Sequence, residues 1–89
     1  MRFEWDEQKA KSNLRKHGVT FDEAATVFYD FAMKLRLDFA YSDNESRYLA
    51  LGISYRGRLL LVSHCYRGAD VVRLISARKA NKAELKIYQ

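Results

Sequence analysis

Apolar and polar positions change rhythm once along this chain, and the change divides a helical opening from a β-rich remainder. Phe21, Ala24, Ala25 and Phe28 recur at i, i+3, i+4 and i+7, which puts one apolar stripe on a short helix bound for the core. The preceding Thr20-Phe-Asp-Glu23 has the capping-box pattern. Upstream, Asp6 is placed to cap a first helix running to His17, and Gly18 supplies a left-handed stop. Lys9, Lys11, Arg15 and Lys16 make that helix basic. Beyond Asp30 the spacing becomes strand-like over residues 32–39, 47–55, 58–67 and 71–77, separated by Ser, Asp, Asn and Gly. Asn81 then caps a last helix in which Ala83 and Ile87 share a face, with Tyr88 docking on the sheet. The predicted fold class is α+β: two N-terminal helices, a four-stranded antiparallel sheet and a short C-terminal helix, in one domain over residues 1–89.

Turn chemistry extends this to strand pairing. Arg56-Gly57 reads as a two-residue hairpin loop, setting Ile53 opposite Leu60 and Leu51 opposite Val62. The helices are then expected over Leu49, Leu51, Ile53, Leu60 and Val62. The reverse face carries Ala50, Gly52, Ser54, Ser63 and Arg67 beside Leu59 and Leu61. A two-residue turn at Gly68-Ala69 places Arg78 beside Arg67 on that reverse face, whereas a three-residue turn through Asp70 replaces it with Arg73. Both registers stay open at this point.

Length and composition narrow the class. The 89 residues, 48% of them apolar and 12 of them aromatic, suit one folded domain with a thin core. A lone cysteine, Cys65, excludes an internal disulfide and reads as a buried thiol in a reducing compartment, so the expected location is cytoplasmic. The longest apolar run, residues 59–62, is too short to span a bilayer, and the acidic opening is unlike a targeting segment, so no membrane association is expected. Sixteen Lys and Arg against eleven acids give a net charge of +5, which favours a polyanion or an acidic protein as partner.

Arginine's planar fork matches phosphate oxygens, and the segment around Arg73 and Arg78 fixes two such forks on a strand running into a helix. His17, at a helix end, serves either as a cap for the last carbonyls or as a proton carrier. His64 falls on the apolar face and reads as a buried, hydrogen-bonded side chain, and Glu23 is accounted for by its capping box. No zinc-ligand spacing, Gly-rich phosphate loop or nucleophile elbow is present, so neither metal nor cofactor is expected. Metal-free RNA cleavage needs a base for the 2′-hydroxyl, cations for the pentavalent phosphate and an acid for the leaving oxygen, all within reach of a small basic domain. Tyr48 and Tyr66 are candidates to stack on a base.

The opening Phe3-Glu-Trp-Asp6, then Lys16-His-Gly-Val19 with Phe21 and Glu23-Ala24, Val27-Phe28 and Asp30, and finally Arg73-Leu-Ile-Ser-Ala-Arg78-Lys-Ala80 with Glu84 and Tyr88, together resemble the BrnT toxins across nearly the whole chain. The resemblance implies a RelE-like fold and the toxin of a type II toxin–antitoxin system, an endoribonuclease that inhibits translation. It also implies neutralisation by a BrnA-like antitoxin with a ribbon-helix-helix domain, through which alone the complex touches operator DNA. His17, Arg67 and Arg78 match positions expected to be catalytic, with Arg58, Arg73 and Lys79 positioning the RNA. The competing reading is a non-catalytic basic module that binds nucleic acid or docks an acidic protein.

Overall fold

The structure is a computed structural model, and it describes residues 1–41 and 45–89, so Ser42 to Asn44 of the first predicted strand separator lie outside the described residues. The chain runs β1 (Arg2–Glu4), α1 (Glu7–His17), α2 (Phe21–Ala25), β2 (Lys34–Leu37), β3 (Tyr48–Ile53), β4 (Leu59–Arg67), β5 (Val71–Lys79) and α3 (Lys82–Tyr88), with 3₁₀ turns over Thr26–Tyr29 and Phe39–Tyr41. The helix starts follow the sequence. Asp6 accepts the Lys9 N–H at 3.0 Å, Thr20 Oγ1 accepts the Glu23 N–H at 3.1 Å, and Gly18 donates to the Leu14 carbonyl at 2.9 Å. The stripe of α2 is core as expected: Phe21 and Ala24 are buried, with Ala25 and Phe28 packed beside them.

The expected four-stranded antiparallel sheet is corrected to a five-stranded mixed one, in the order β1-β5-β4-β3-β2. β1 runs parallel to β5, with Phe3 opposite Val72. Three residues are too few to show an alternation, and the partner strand lies at the far end of the chain. What recruits β1 is burial of Phe3, whose ring meets Phe28 with centroids 5.5 Å apart.

The β3–β4 register also differs from the expected one. Ser54 donates to the Arg58 carbonyl at 2.9 Å, so the loop holds three residues, Tyr55 to Gly57, rather than two. Gly57 closes it with φ 76°, a left-handed conformation that a side chain would oppose. Ile53 therefore pairs with Leu59 and Leu51 with Leu61. One residue of slip turns every β3 side chain over. Ala50, Gly52 and Ser54 face the N-terminal helices with Leu60, Val62 and His64, while Leu49 and Leu51 join Leu61 on the opposite face under α3. The swap has a packing reason: a Cβ on Gly52 would lie 2.8 Å from Val27 Cγ1, so only the small residues of β3 admit the 3₁₀ turn this closely.

The last hairpin reconciles the two registers left open by the sequence. Arg67 pairs with Val71 across a three-residue turn, and Cys65 pairs with Arg73. Between Ser63 and His64 the ladder then skips Ile75, a β-bulge, after which Ser63 pairs with Ser76 and Leu61 with Arg78. Both C-terminal arginines consequently share the face of Arg67, where either turn alone predicted one.

Beneath the helices lies a core of Val19, Phe21, Ala24, Val27, Ala50, Leu60, Val62, Val72, Leu74 and Ala77. Cys65 is buried as expected, and burial pushes its thiol pKa up. His64 is fully buried, bonded to the Val62 carbonyl and the Tyr66 hydroxyl at 3.2 Å each, and burial lowers its pKa below 6.5. Tyr48 and Tyr66 pack around this imidazole, which gives both a role in the fold.

Glu23 does only half of what its capping box suggests. Its N–H goes to Thr20, but its carboxylate turns inward, 2% exposed, to Arg58 through both oxygens and to the Ser54 hydroxyl at 2.7 Å. The Arg58 hydrogen bond is the main cause that holds its acid below the usual 4.5. Such a group contributes stability that is fully present above pH 4.5 and is lost as the pH falls through its folded-state value. Glu23→Gln strands the arginine and should cost about 3–5 kcal/mol. Calorimetry should record a melting temperature at least about 10 °C lower, and a flatter decline of stability on acidification than the parent shows.

Candidate functional site

The sheet face away from α1 and α2 carries Lys34, Arg36, Arg67, Arg73 and Arg78, and it holds a groove of about 630 Å³. Its walls come from the end of α1 (His17), the β2 side (Arg36 and Asp38), the start of β3 (Arg47 and Leu49), β4 (Leu61 and Ser63), the bulged part of β5 (Ile75 to Arg78) and Glu84 of α3. Strand alternation explains the lining. Arg36, Leu49, Ser63 and Ser76 form one row across four strands, and Arg78 pairs with Leu61 one step along.

His17 reaches this groove because of Asn13. Past Arg73 the outer edge of β5 is not covered by β1, and buried Asn13 takes the place of a strand there. It accepts the Ala77 N–H at 2.9 Å and donates to the Ala77 carbonyl at 2.9 Å and the Val19 carbonyl at 3.0 Å. One amide thus satisfies both backbone groups of Ala77 and holds the last turn of α1 against the bulge.

Arg78 is held by α3. Its Nη1 and Nη2 donate to the two Glu84 oxygens at 2.9 and 2.7 Å, and the Arg78 hydrogen bond is the first cause of the lowered Glu84 pKa, with Arg36 adding to it. The α3 cap forms the full capping box with Asn81. At its other end, Tyr88 donates to Asp30 Oδ2 at 2.6 Å, where Asp30 also receives the Ile53 and Ala32 N–H groups.

Of the six residues singled out from the sequence, the groove brings together His17 and Arg78. Arg67 and Arg73 lie on the same face but outside it, paired with Glu45 at 2.8 Å and Glu4 at 2.9 Å. Leu61, the partner of Arg78, stands six residues from Arg67 on β4, about 20 Å of strand, so Arg67 and Arg78 do not converge on one phosphate. Arg58 is committed to Glu23, and with Lys79 it lines a separate, shallow hollow. Arg36, Arg47 and Asn13 were missed. Arg36 was within reach of alternation, since Lys34 and Arg36 share one face of β2 and Leu35 and Leu37 the other.

Fold and groove define a small α+β domain that offers a basic, histidine-edged cleft on an open sheet face, the form of a protein that handles a polyanion. The family model described as the ribonuclease toxin BrnT of type II toxin–antitoxin systems matches residues 5–84, and the chain belongs to this family of ribonuclease toxins. The crystal structure of the Brucella abortus ribonuclease toxin BrnT superposes with a TM-score of 0.72 at 24% identity, covering 92% of this chain and 99% of that one, and thereby shows the shared fold. No curated protein matches.

Asn13→Ala leaves both Ala77 backbone groups without a partner and should lower stability by about 2–3 kcal/mol in denaturant titrations. The His17 ring signals should shift in the same variant as the end of α1 loosens from β5.

Proposed function

We propose that this toxin is an endoribonuclease that cuts RNA without a metal ion and so inhibits translation. The observation that carries the reading is the one groove that gathers His17 with Arg36, Arg47 and Arg78. RNA brings its own nucleophile. A base takes the proton of the 2′-hydroxyl, the 2′-oxygen bonds to phosphorus, the P–O5′ bond breaks, and the leaving oxygen receives a proton. The products are a 2′,3′-cyclic phosphate and a 5′-hydroxyl. In this reading His17 moves a proton, Arg78 faces the charge that builds on phosphorus, and Arg36 and Arg47 hold the adjacent backbone. Arg67 and Arg73, farther along the face, track neighbouring nucleotides, with Lys79 beyond the groove; Arg58 serves the fold. Among the described residues no group of three or more His, Cys, Asp or Glu is placed to hold a metal ion.

Type II membership implies an antitoxin partner. We take it to be BrnA-like, with a ribbon-helix-helix domain that carries the complex to operator DNA, and the site of action to be the cytoplasm. Among the described residues no helix is long and apolar enough to cross a membrane.

One observation favours the non-catalytic alternative: Arg78 already has a carboxylate partner, as a purely structural arginine would. Turnover separates the two. His17→Ala and Arg78→Ala should each reduce the cleavage rate of purified protein about 10²–10³-fold with the circular dichroism spectrum unchanged, and excess EDTA should leave the parent rate intact. A binding module would instead show no turnover and a stepwise, strongly salt-dependent fall in RNA affinity as each cation is removed. Growth arrest on induction, reversed by the adjacent reading frame, tests the toxin and antitoxin parts together.

A further inference from the structure

A guanidinium has five N–H bonds, and Arg78 uses three. Glu84 takes one from Nη1 and one from Nη2, and Nη1 also points at the Lys79 carbonyl at 3.2 Å. The Nε hydrogen and the second Nη2 hydrogen, which lie side by side, have no partner among the described residues. These two form the edge that an arginine offers to a phosphate in bidentate fashion. The side chain is 40% exposed, whereas Glu84 is 16% exposed, so the clamp is the sheltered side of the pair.

We infer that Glu84 is a positioning residue: it grips the end of the Arg78 guanidinium and leaves the Nε–Nη2 edge as a preformed fork for one phosphodiester of the substrate. The inference rests on the ribonuclease reading of the groove and extends it to Glu84.

The contacts that orient the Glu84 carboxylate are polar. Its carboxylate accepts the Asn81 N–H at 2.9 Å while Asn81 Oδ1 accepts the Glu84 N–H at 2.8 Å, so the start of α3 itself orients the acid. No residue of α3 is buried. The helix is seated by this clamp at one end and by the Tyr88–Asp30 bond at the other, and Asp30 is fixed in turn by the backbone of β3 at Ile53. A continuous line of hydrogen bonds therefore leads from β3 through Asp30, Tyr88 and α3 to the orientation of one guanidinium. Fixing an arginine before substrate arrives removes rotamer freedom that the transition state would otherwise have to organise.

Glu84→Gln is an informative change, because glutamine at this third helical position retains the capping box through its one carbonyl oxygen and removes the charge and the second acceptor of the clamp. The expected outcome is a fall in kcat of about tenfold or more, with KM within about twofold and the melting curve little altered. Tyr88→Phe should shift kcat in the same direction by less. The direct readout is the Arg78 Nε–H resonance in ¹⁵N-labelled protein titrated with inorganic phosphate. It should move on addition to the parent and lose that response in Glu84→Gln. An Nε–H line indifferent to phosphate in the parent overturns the inference, and so does a Glu84→Gln variant with unchanged or higher kcat, which would make the pair structural or the acid a mask over Arg78. If the parent cleaves no RNA, the ribonuclease reading fails by itself, and the phosphate titration still decides whether Glu84 presets the fork.

Discussion

Four segments of this protein meet at one buried carboxylate. Glu23 comes from α2, Arg58 stands just before β4, Ser54 just after β3, and Arg58 also donates to the Gly18 carbonyl that ends α1, at 3.2 Å. A charge at 2% exposure is tolerable only when fully paired, so these partners must assemble in one geometry. That geometry sets the length of the β3–β4 turn, and the turn sets which β3 side chains face inward. It also fixes the residue after His17. Through Gly18 the pair reaches the residue next to His17, so the placement of the histidine and the sidedness of the sheet both depend on it.

The cations of this basic chain divide into distinct groups. Arg58 belongs to the interior, and Arg67 and Arg73 are tethered to Glu45 and Glu4 at the margins of the open face. Arg78 is tethered too, but inside the groove and with an edge left over. A net charge of +5 does not reveal this sorting, since exposed ion pairs of this sort contribute little to stability and serve chiefly to set direction.

The helix caps, the α2 stripe, the α+β class and the buried Cys65 and His64 were legible in the sequence. They depend on local spacing, which the chain writes openly. The β3–β4 register was not, because two- and three-residue loops ending in glycine look alike, and only the Gly52 contact with Val27 and the Glu23 carboxylate choose between them. β1 escaped notice because its partner is at the other end of the chain. Asn13 matters through tertiary position alone: nothing near it in the sequence announces Ala77.

The bulge at Ile75 shows that the site is written in residue count as well as residue identity. Upstream of it, β5 keeps one phase, with Val72 and Leu74 inward and Arg73 outward; downstream the phase is reset, with Ala77 inward and Ser76 and Arg78 outward. The strand is thus two short messages spliced by a single unpaired position. Loss of Ile75 alone would leave a regular ladder, with Ser76 still opposite Ser63, Ala77 still inward and Arg78 still outward, whereas loss of a residue elsewhere in the strand could be absorbed only by giving up the bulge. The unpaired position is thus where β5 tolerates a change of length, and among relatives of this chain a one-residue gap there would leave the groove's side chains on the same face.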